Sequence, residues 1–257
     1  MALTYETDGH LCTITLNRPK ALNAFNQEML AEFSEACARF RDDPTLWVAI
    51  VTGAGDRAFS AGADLKDLIP ALTNDPAKGA YKLPPTIMRG QIVYKPFIAA
   101  VNGLCLGGGL ECALACDLRI ASRAATFGQP EVGLGLVPGW GGTQRLPRLL
   151  PAAWAAEILL TGRTIDADTA LRLGLLNALV EPEELMATAR DYAERICRNG
   201  PLAVQATKEA TLRGLQMPLE EGLRLEALLF DRLAYTNDSK EGLQAFAQRR
   251  PPQFTGT

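Results

Sequence analysis

Residues 97–111 read Phe97-Ile98-Ala99-Ala100-Val101-Asn102-Gly103-Leu104-Cys105-Leu106-Gly107-Gly108-Gly109-Leu110-Glu111. The first five residues form a short continuous apolar run, which predicts a strand buried on both faces. Gly107-Gly108-Gly109 then turns the chain into a predicted helix, Leu110–Ala115. A buried strand feeding a helix through a tight turn is the signature of α/β organisation with parallel strands.

The segments on either side extend this pattern. Trp47–Thr52 is a second apolar run with β-branched residues and predicts another buried strand. Leu11–Leu16 reads as a strand broken by Asn17-Arg18-Pro19. Asn26–Arg41 has helical spacing (Met29, Leu30, Phe33, Cys37, Phe40) and stops at Asp42-Asp43-Pro44. Asp117–Ala121 predicts a third short strand, Thr126-Phe127-Gly128 an edge segment, and Gly139–Leu150 the start of a helical region. Residues 66–90 are punctuated by Pro70, Asn74, Asp75, Pro76, Gly79, Pro84 and Pro85, which predicts short helices in a surface loop. Beyond Pro182 the pattern is helical, over 182–198, 201–213, 218–235 and 239–249. The expected division is a core over 1–195 and a helical region over 196–257.

Composition excludes several function classes. The net charge is −3 with no basic run, so nucleic acid is a poor candidate partner. No stretch reaches the roughly 18 uninterrupted apolar residues of a membrane span. Residues 1–19 are acidic early and lack a long apolar core, unlike a signal peptide. The six cysteines lie mostly in apolar or helical stretches, the expectation for reduced thiols in a cytoplasmic protein. Cys112 and Cys116 are four apart on a helix, but no third ligand lies nearby, so no metal is expected.

The chain has a single histidine, His10, beside the turn-like Asp8-Gly9. No G-x-S-x-G elbow accompanies it, so a Ser-His-Asp triad is not supported. Acid–base chemistry falls to carboxylates, Lys, Tyr or Cys. Gly53-Ala54-Gly55-Asp56-Arg57-Ala58 loosely matches a dinucleotide fingerprint, with Asp75 twenty residues after Gly55. Phe59-Ser60-Ala61-Gly62 does not continue it as a helix, and a lone match of this kind is weak.

Two loops offer backbone donors instead. Phe59–Leu65 is a small-residue stretch leading to Asp64-Leu65-Lys66, which reads as a helix start. Gly107–Glu111 is the other. Free N–H groups in a first helical turn favour a developing negative charge, and two such loops can converge on one carbonyl oxygen. Taken alone, Gly107–Gly109 is equally well a tight turn for helix–strand packing. Glu111 lies in the first turn amid apolar neighbours, and Glu131 is the lone charge between Arg123 and Arg145. Both are candidate acid–base groups.

The motifs Asn17-Arg18-Pro19-Lys20-Ala21-Leu22-Asn23, FSAGADL (59–65), KPFIAAVNGLCLGGGLE (95–111), DLRIAS (117–122), ATFGQPEVGLGLVPGWGGTQRLPRLL (125–150) and EGLQAFAQRR (241–250) run in order along the chain. In this set and spacing the sequence resembles the crotonase (enoyl-CoA hydratase) superfamily over essentially its whole length. The resemblance implies a crotonase-like spiral of ββα units followed by a C-terminal helical trimerisation region, assembled as a homotrimer or homohexamer. It implies an acyl-CoA substrate and no cofactor, coenzyme A being part of the substrate. It places backbone N–H groups of Ala63 and Gly108 on the thioester oxygen as an oxyanion hole, and Glu111 and Glu131 as the catalytic pair. Ala21, Leu22, Ala61, Asp64, Leu65 and Lys66 would line the CoA site, with Gly139 near the reacting carbons and Phe246 and Arg249 touching CoA. Many relatives have lysine where Arg249 stands.

Glutamates at both positions are the hydratase pattern, so the resemblance implies reversible hydration of 2-enoyl-CoA. Two close carboxylates would repel, raising one pKa. The alternatives are a specialised dehydratase, carnitinyl-CoA-like or branched, and an enoyl-CoA isomerase. RNA binding, known among relatives, wants a basic face that this chain lacks. Trp140 replaces a small residue and reads as packing rather than substrate contact. Tyr81 and Tyr94 flank the variable loop and read as surface or packing residues. Asp117 reads as structural.

Overall fold

A computed structural model describes residues 1–74 and 82–257. The chain opens with a hairpin, β1 (Leu3–Asp8) and β2 (Leu11–Leu16), closed by Gly9-His10 with Gly9 at φ +55°. Helix α1 (Gln27–Asp42) follows, its first turn capped by the Asn26 side chain, which accepts from Met29 N at 2.9 Å. Met29, Leu30, Phe33, Cys37 and Phe40 form its buried face, at the expected helical spacing.

From there the chain repeats one unit three times. The first is β3 (Val48–Gly53), β4 (Ala58–Ser60) and α2 (Leu68–Thr73). The second is β5 (Phe97–Val101), β6 (Leu104–Leu106) and α3 (Gly108–Ala115). The third is β7 (Leu118–Ser122), β8 (Thr126–Gly128) and α4 (Gly142–Leu149). Each unit gives its first strand to one sheet and its second to another. The large sheet has the order β1-β2-β3-β5-β7-β10 and the small one β4-β6-β8-β9. Within each sheet the repeated strands pair in parallel. This stacking is the spiral of ββα turns that the resemblance implies.

The connecting elements are α5 (Ala152–Thr161), β9 (Thr164–Asp166), α6 (Ala167–Arg172) and β10 (Ala178–Val180). Four helices end the chain: α7 (Leu185–Cys197), α8 (Pro201–Gly214), α9 (Leu219–Ala234) and α10 (Asn237–Gln248).

The two long apolar runs owe their composition to burial on both faces. Ala49, Val51, Phe97, Ala99 and Val101 face the main core with α1. Val48, Ile50, Ile98 and Ala100 face a second core closed by Leu185, Ala189 and Ala193 of α7. Helix α7 runs across residue 195 and packs on the large sheet, so the outer helical region begins at α8. There the apolar residues turn outward: Leu215, Leu219, Phe230, Leu243 and Phe246 are all exposed.

Two local expectations need correction. Asp64-Leu65-Lys66 is a turn rather than a helix start, because Asp64 Oδ1 accepts from Lys66 N at 2.9 Å and Oδ2 pairs with Arg18 at 2.9 Å. The helix begins at Leu68. Gly53–Ala58 passes from β3 into β4 without a helix, so the loose dinucleotide pattern lacks its structural context. Asp75 and Tyr81 lie outside the described residues.

Candidate active site

The small sheet sets the site. Its parallel strands lie in the order β4-β6-β8, and the carboxyl end of each delivers one candidate segment. Ala61–Lys66 follows β4, Gly107–Glu111 follows β6, and Gln129–Glu131 follows β8. Ligand sites form at the carboxyl ends of parallel strands because the chain leaves the sheet there in loops and helix N-termini. Candidate residues up to seventy positions apart in sequence therefore meet on three adjacent strands.

Gly107 precedes α3 at φ +53°, ψ −126°, a conformation open to glycine. That bend lets Gly108 become the first residue of α3, two before the expected start, with an N–H that has no carbonyl four residues back to bind. A Cβ built on Gly108 would lie 3.5 Å from Ala63 N, and one on Gly62 would lie 3.0 Å from Gly108 N, so the two main chains are in close contact. Among the described residues, neither the Ala63 N–H nor the Gly108 N–H has an acceptor within the chain. Two neighbouring unspent donors at a helix start suit a negative oxygen.

Glu111 is only 2% exposed. Its Oε1 accepts from Trp140 N at 2.6 Å and Gly142 N at 2.7 Å. Burial pushes its pKa up, while these N–H groups and the nearby Arg145 guanidinium pull it down; burial prevails. Arg145 in turn holds the turn that supplies those donors. It donates to the Trp140 carbonyl at 2.9 Å and to the Met88 carbonyl at 2.8 Å.

Glu131 sits in the short 3-10 turn Pro130–Leu134. Its carboxylate lies over Gly107, 3.0 Å from where a Cβ would stand. Fully buried Gln129, with its amide nitrogen turned toward Glu131, donates to both carboxylate oxygens at 3.0 Å. Burial pushes the Glu131 pKa up to about 7, and the negative charge of Glu111 adds to the rise. The expected repulsion between the pair is present, but it is the smaller cause; desolvation leads.

The other predicted residues divide into groups. Ala61 N donates to Leu22 O at 2.9 Å, which brings Ala21, Leu22, Ala61 and Asp64 together through the Arg18–Asp64 pair. Leu65 and Lys66 are exposed at the edge of this group. Gly139 is exposed, and its carbonyl accepts from Arg89 at 2.9 Å. Phe246 is 88% exposed and Arg249 ends α10. Among the described residues, no hydrogen bond or ion pair joins them to the Ala21–Lys66 group. Asp117 is structural: it accepts from Phe97 N at 2.8 Å and pairs with Lys208 at 2.7 Å. Tyr94 is half-buried. His10 stacks on Trp47 and bonds Thr45 O, binding the hairpin to the start of β3.

Three contributors escape sequence reasoning: Gln129, Arg145, and the main-chain donors of Trp140 and Gly142. The amides carry no side-chain signature. Gln129 had one available signal, a polar residue between Gly128 and Pro130 directly before the candidate glutamate.

Comparison with known proteins places the chain in a family. The chain matches the enoyl-CoA hydratase/isomerase family over residues 6–257. It is 47% identical to (E)-benzylidenesuccinyl-CoA hydratase of Thauera aromatica, covering 100% of both chains. It is 44% identical to the short-chain-enoyl-CoA hydratase of Clostridium acetobutylicum, covering 95% of this chain and 94% of that one. Its structure matches that of an enoyl-CoA hydratase from Bacillus anthracis with a TM-score of 0.95 at 38% identity, over 100% of both chains. With the family match spanning the paired strand ends, the glutamates and the terminal helices alike, the chain belongs to the enoyl-CoA hydratase/isomerase family of the crotonase superfamily, a family of enzymes.

Proposed function

We propose that this enzyme reversibly hydrates 2-enoyl-CoA thioesters to 3-hydroxyacyl-CoA. The observation that carries the proposal is the pairing of buried Glu111 and half-buried Glu131 with two unspent N–H groups at Ala63 and Gly108. The N–H groups bind the thioester oxygen and stabilise the enolate that forms when water adds to the β-carbon. The glutamates hold that water between them. Its hydroxyl bonds to the β-carbon, its proton passes to the carboxylate pair, and Glu131 delivers a proton to the α-carbon. A carboxyl with a pKa about 7 both accepts and donates a proton near neutral pH without a large penalty. Oε1 of Glu111 is held by two main-chain donors, which fixes the direction in which Oε2 addresses the water.

The coenzyme A moiety runs, in this reading, past Ala21, Leu22, Ala61, Asp64, Leu65, Lys66 and Gly139. Phe246 and Arg249 reach it from a neighbouring subunit of a homotrimer or homohexamer. The exposed apolar side chains of α8–α10 support that assembly, because an isolated soluble chain rarely presents so many together. Light scattering that gives a monomer mass at micromolar concentration would contradict it.

A second reading has one specific support. The relative at 47% identity over its full length is named for benzylidenesuccinyl-CoA, so a specialised acyl group is an alternative substrate with the same chemistry. Incubation with crotonyl-CoA in heavy-oxygen water tests the main proposal. The expected product is 3-hydroxybutyryl-CoA carrying one heavy oxygen, with loss of the conjugated thioester absorbance. Turnover of a benzylidene-type enoyl-CoA without turnover of crotonyl-CoA would select the second reading.

A further inference from the structure

Trp140 touches two features of the molecule. Its ring presses on Gly108 so closely that any Cβ there would collide with the indole carbons Cζ3 and Cε3. The same residue lines a cavity of about 290 Å³ together with Leu30, Leu83, Pro84, Pro85 and Arg89. Trp140 thus adjoins the Gly108 main chain, which lies against Ala63, and also borders the cavity.

The indole is held on several sides. The Trp140 N–H donates to Glu111 and its carbonyl accepts from Arg145. The ring meets Phe25 edge-to-face at 5.6 Å between centroids, and the residue is 7% exposed. A buried aromatic with fixed backbone and ring contacts does not swing aside at low cost.

We infer that Trp140 sets the length of acyl chain this enzyme accepts, by standing as a wall between the thioester-oxygen site at Gly108 and the cavity under Leu83–Pro85. The inference rests on the assignment of Ala63 and Gly108 to the thioester oxygen. The β-carbon is next but one to the carbonyl carbon, so a ring packed on Gly108 meets the acyl chain close to its reacting end. Short or compact acyl groups fit beside the ring. Longer chains must pass it and are penalised. Trp140 is therefore a specificity residue as well as the packing residue its sequence suggests.

Trp140→Ala and Trp140→Phe, assayed with crotonyl-CoA and 2-decenoyl-CoA, test this. A methylene gained or lost in an apolar pocket changes selectivity by roughly 10–200-fold. The decenoyl-to-crotonyl ratio of kcat/KM is expected to rise about tenfold or more in Trp140→Ala, and to rise less in Trp140→Phe, which keeps an aromatic ring in the core. Calorimetric binding of decanoyl-CoA against butyryl-CoA should shift the same way and reads the wall without chemistry. A shift in binding preference with no hydration of either enoyl thioester would sink the hydratase reading and leave the wall intact. Unchanged binding and kinetic ratios in a folded Trp140→Phe, or a ratio that falls, would overturn the inference.

Discussion

At the carboxyl ends of β4, β6 and β8, polar groups lie inside the molecule, and this chain supplies partners for them. Glu111 takes two main-chain N–H groups and Glu131 takes the Gln129 amide. Along α8, α9 and α10 the arrangement is inverted: leucines and phenylalanines face outward, and Leu229 and Ala245 are the main apolar residues buried on α9 and α10. Burying a carboxyl costs free energy that named donors offset. Exposing apolar area forgoes about 25 cal/mol per Å² that a partner surface would recover. In the first region the partners of both glutamates come from this chain. The second has the character of a surface made for another copy, in line with the proposed assembly.

Substitutions can break that contrast in order of expected effect. Glu111→Gln keeps an acceptor for Trp140 and Gly142 but removes the charge. Its kcat on crotonyl-CoA should fall by roughly 10²–10⁴-fold, with an unchanged far-UV spectrum. Phe33→Ala empties a fully buried site under the large sheet and should cost about 3–5 kcal/mol in denaturant unfolding. If its cost were near zero, the core would not be packed as described. Asn26→Ala removes the cap of α1 and should cost about 1 kcal/mol. Leu215→Ser, on an exposed site, should change folding stability within about 0.5 kcal/mol. It should nonetheless lower the particle mass in light scattering, and an unaltered mass together with lost stability would invert the comparison.

A further effect concerns pH. The Glu131 pKa rises from 4.5 to about 7 in the folded state. Between these values the native protein binds more protons than the unfolded chain, so this group's contribution to stability falls as pH rises through that window. Glu131→Gln removes the penalty. The variant's Tm relative to wild type should therefore be more favourable at pH 8 than at pH 5, and a difference of the opposite sign would show that Glu131 is stabilised as a carboxylate.

Much of the large sheet is legible in the sequence, because Trp47–Thr52 and Phe97–Val101 are long enough to show their burial. Of the small sheet only the edge segment at Thr126–Gly128 is. Ala58–Ser60, Leu104–Leu106 and Thr126–Gly128 have three residues each, too few to display an alternating period. Phe59–Leu65 reads as a loop for that reason, although its first residues form β4. The candidate glutamates stand out because charge is scarce around them. Their partners do not: Trp140 N and Gly142 N belong to a turn 29 and 31 residues beyond Glu111, and only the stacking of β6 on β8 brings that turn back. The outward face of α8–α10 is legible as helix, but its exposure is not, since apolar spacing alone does not separate a core from an interface.

The proposed chemistry is the addition of water by Glu111 and Glu131 to an enoyl thioester bound at Ala63 and Gly108. Its most direct test is the hydration rate of crotonyl-CoA by Glu131→Gln at saturating substrate, with binding of butyryl-CoA measured alongside. A rate lowered by at least about 100-fold with binding retained is the predicted result. A rate near that of the wild type would contradict it.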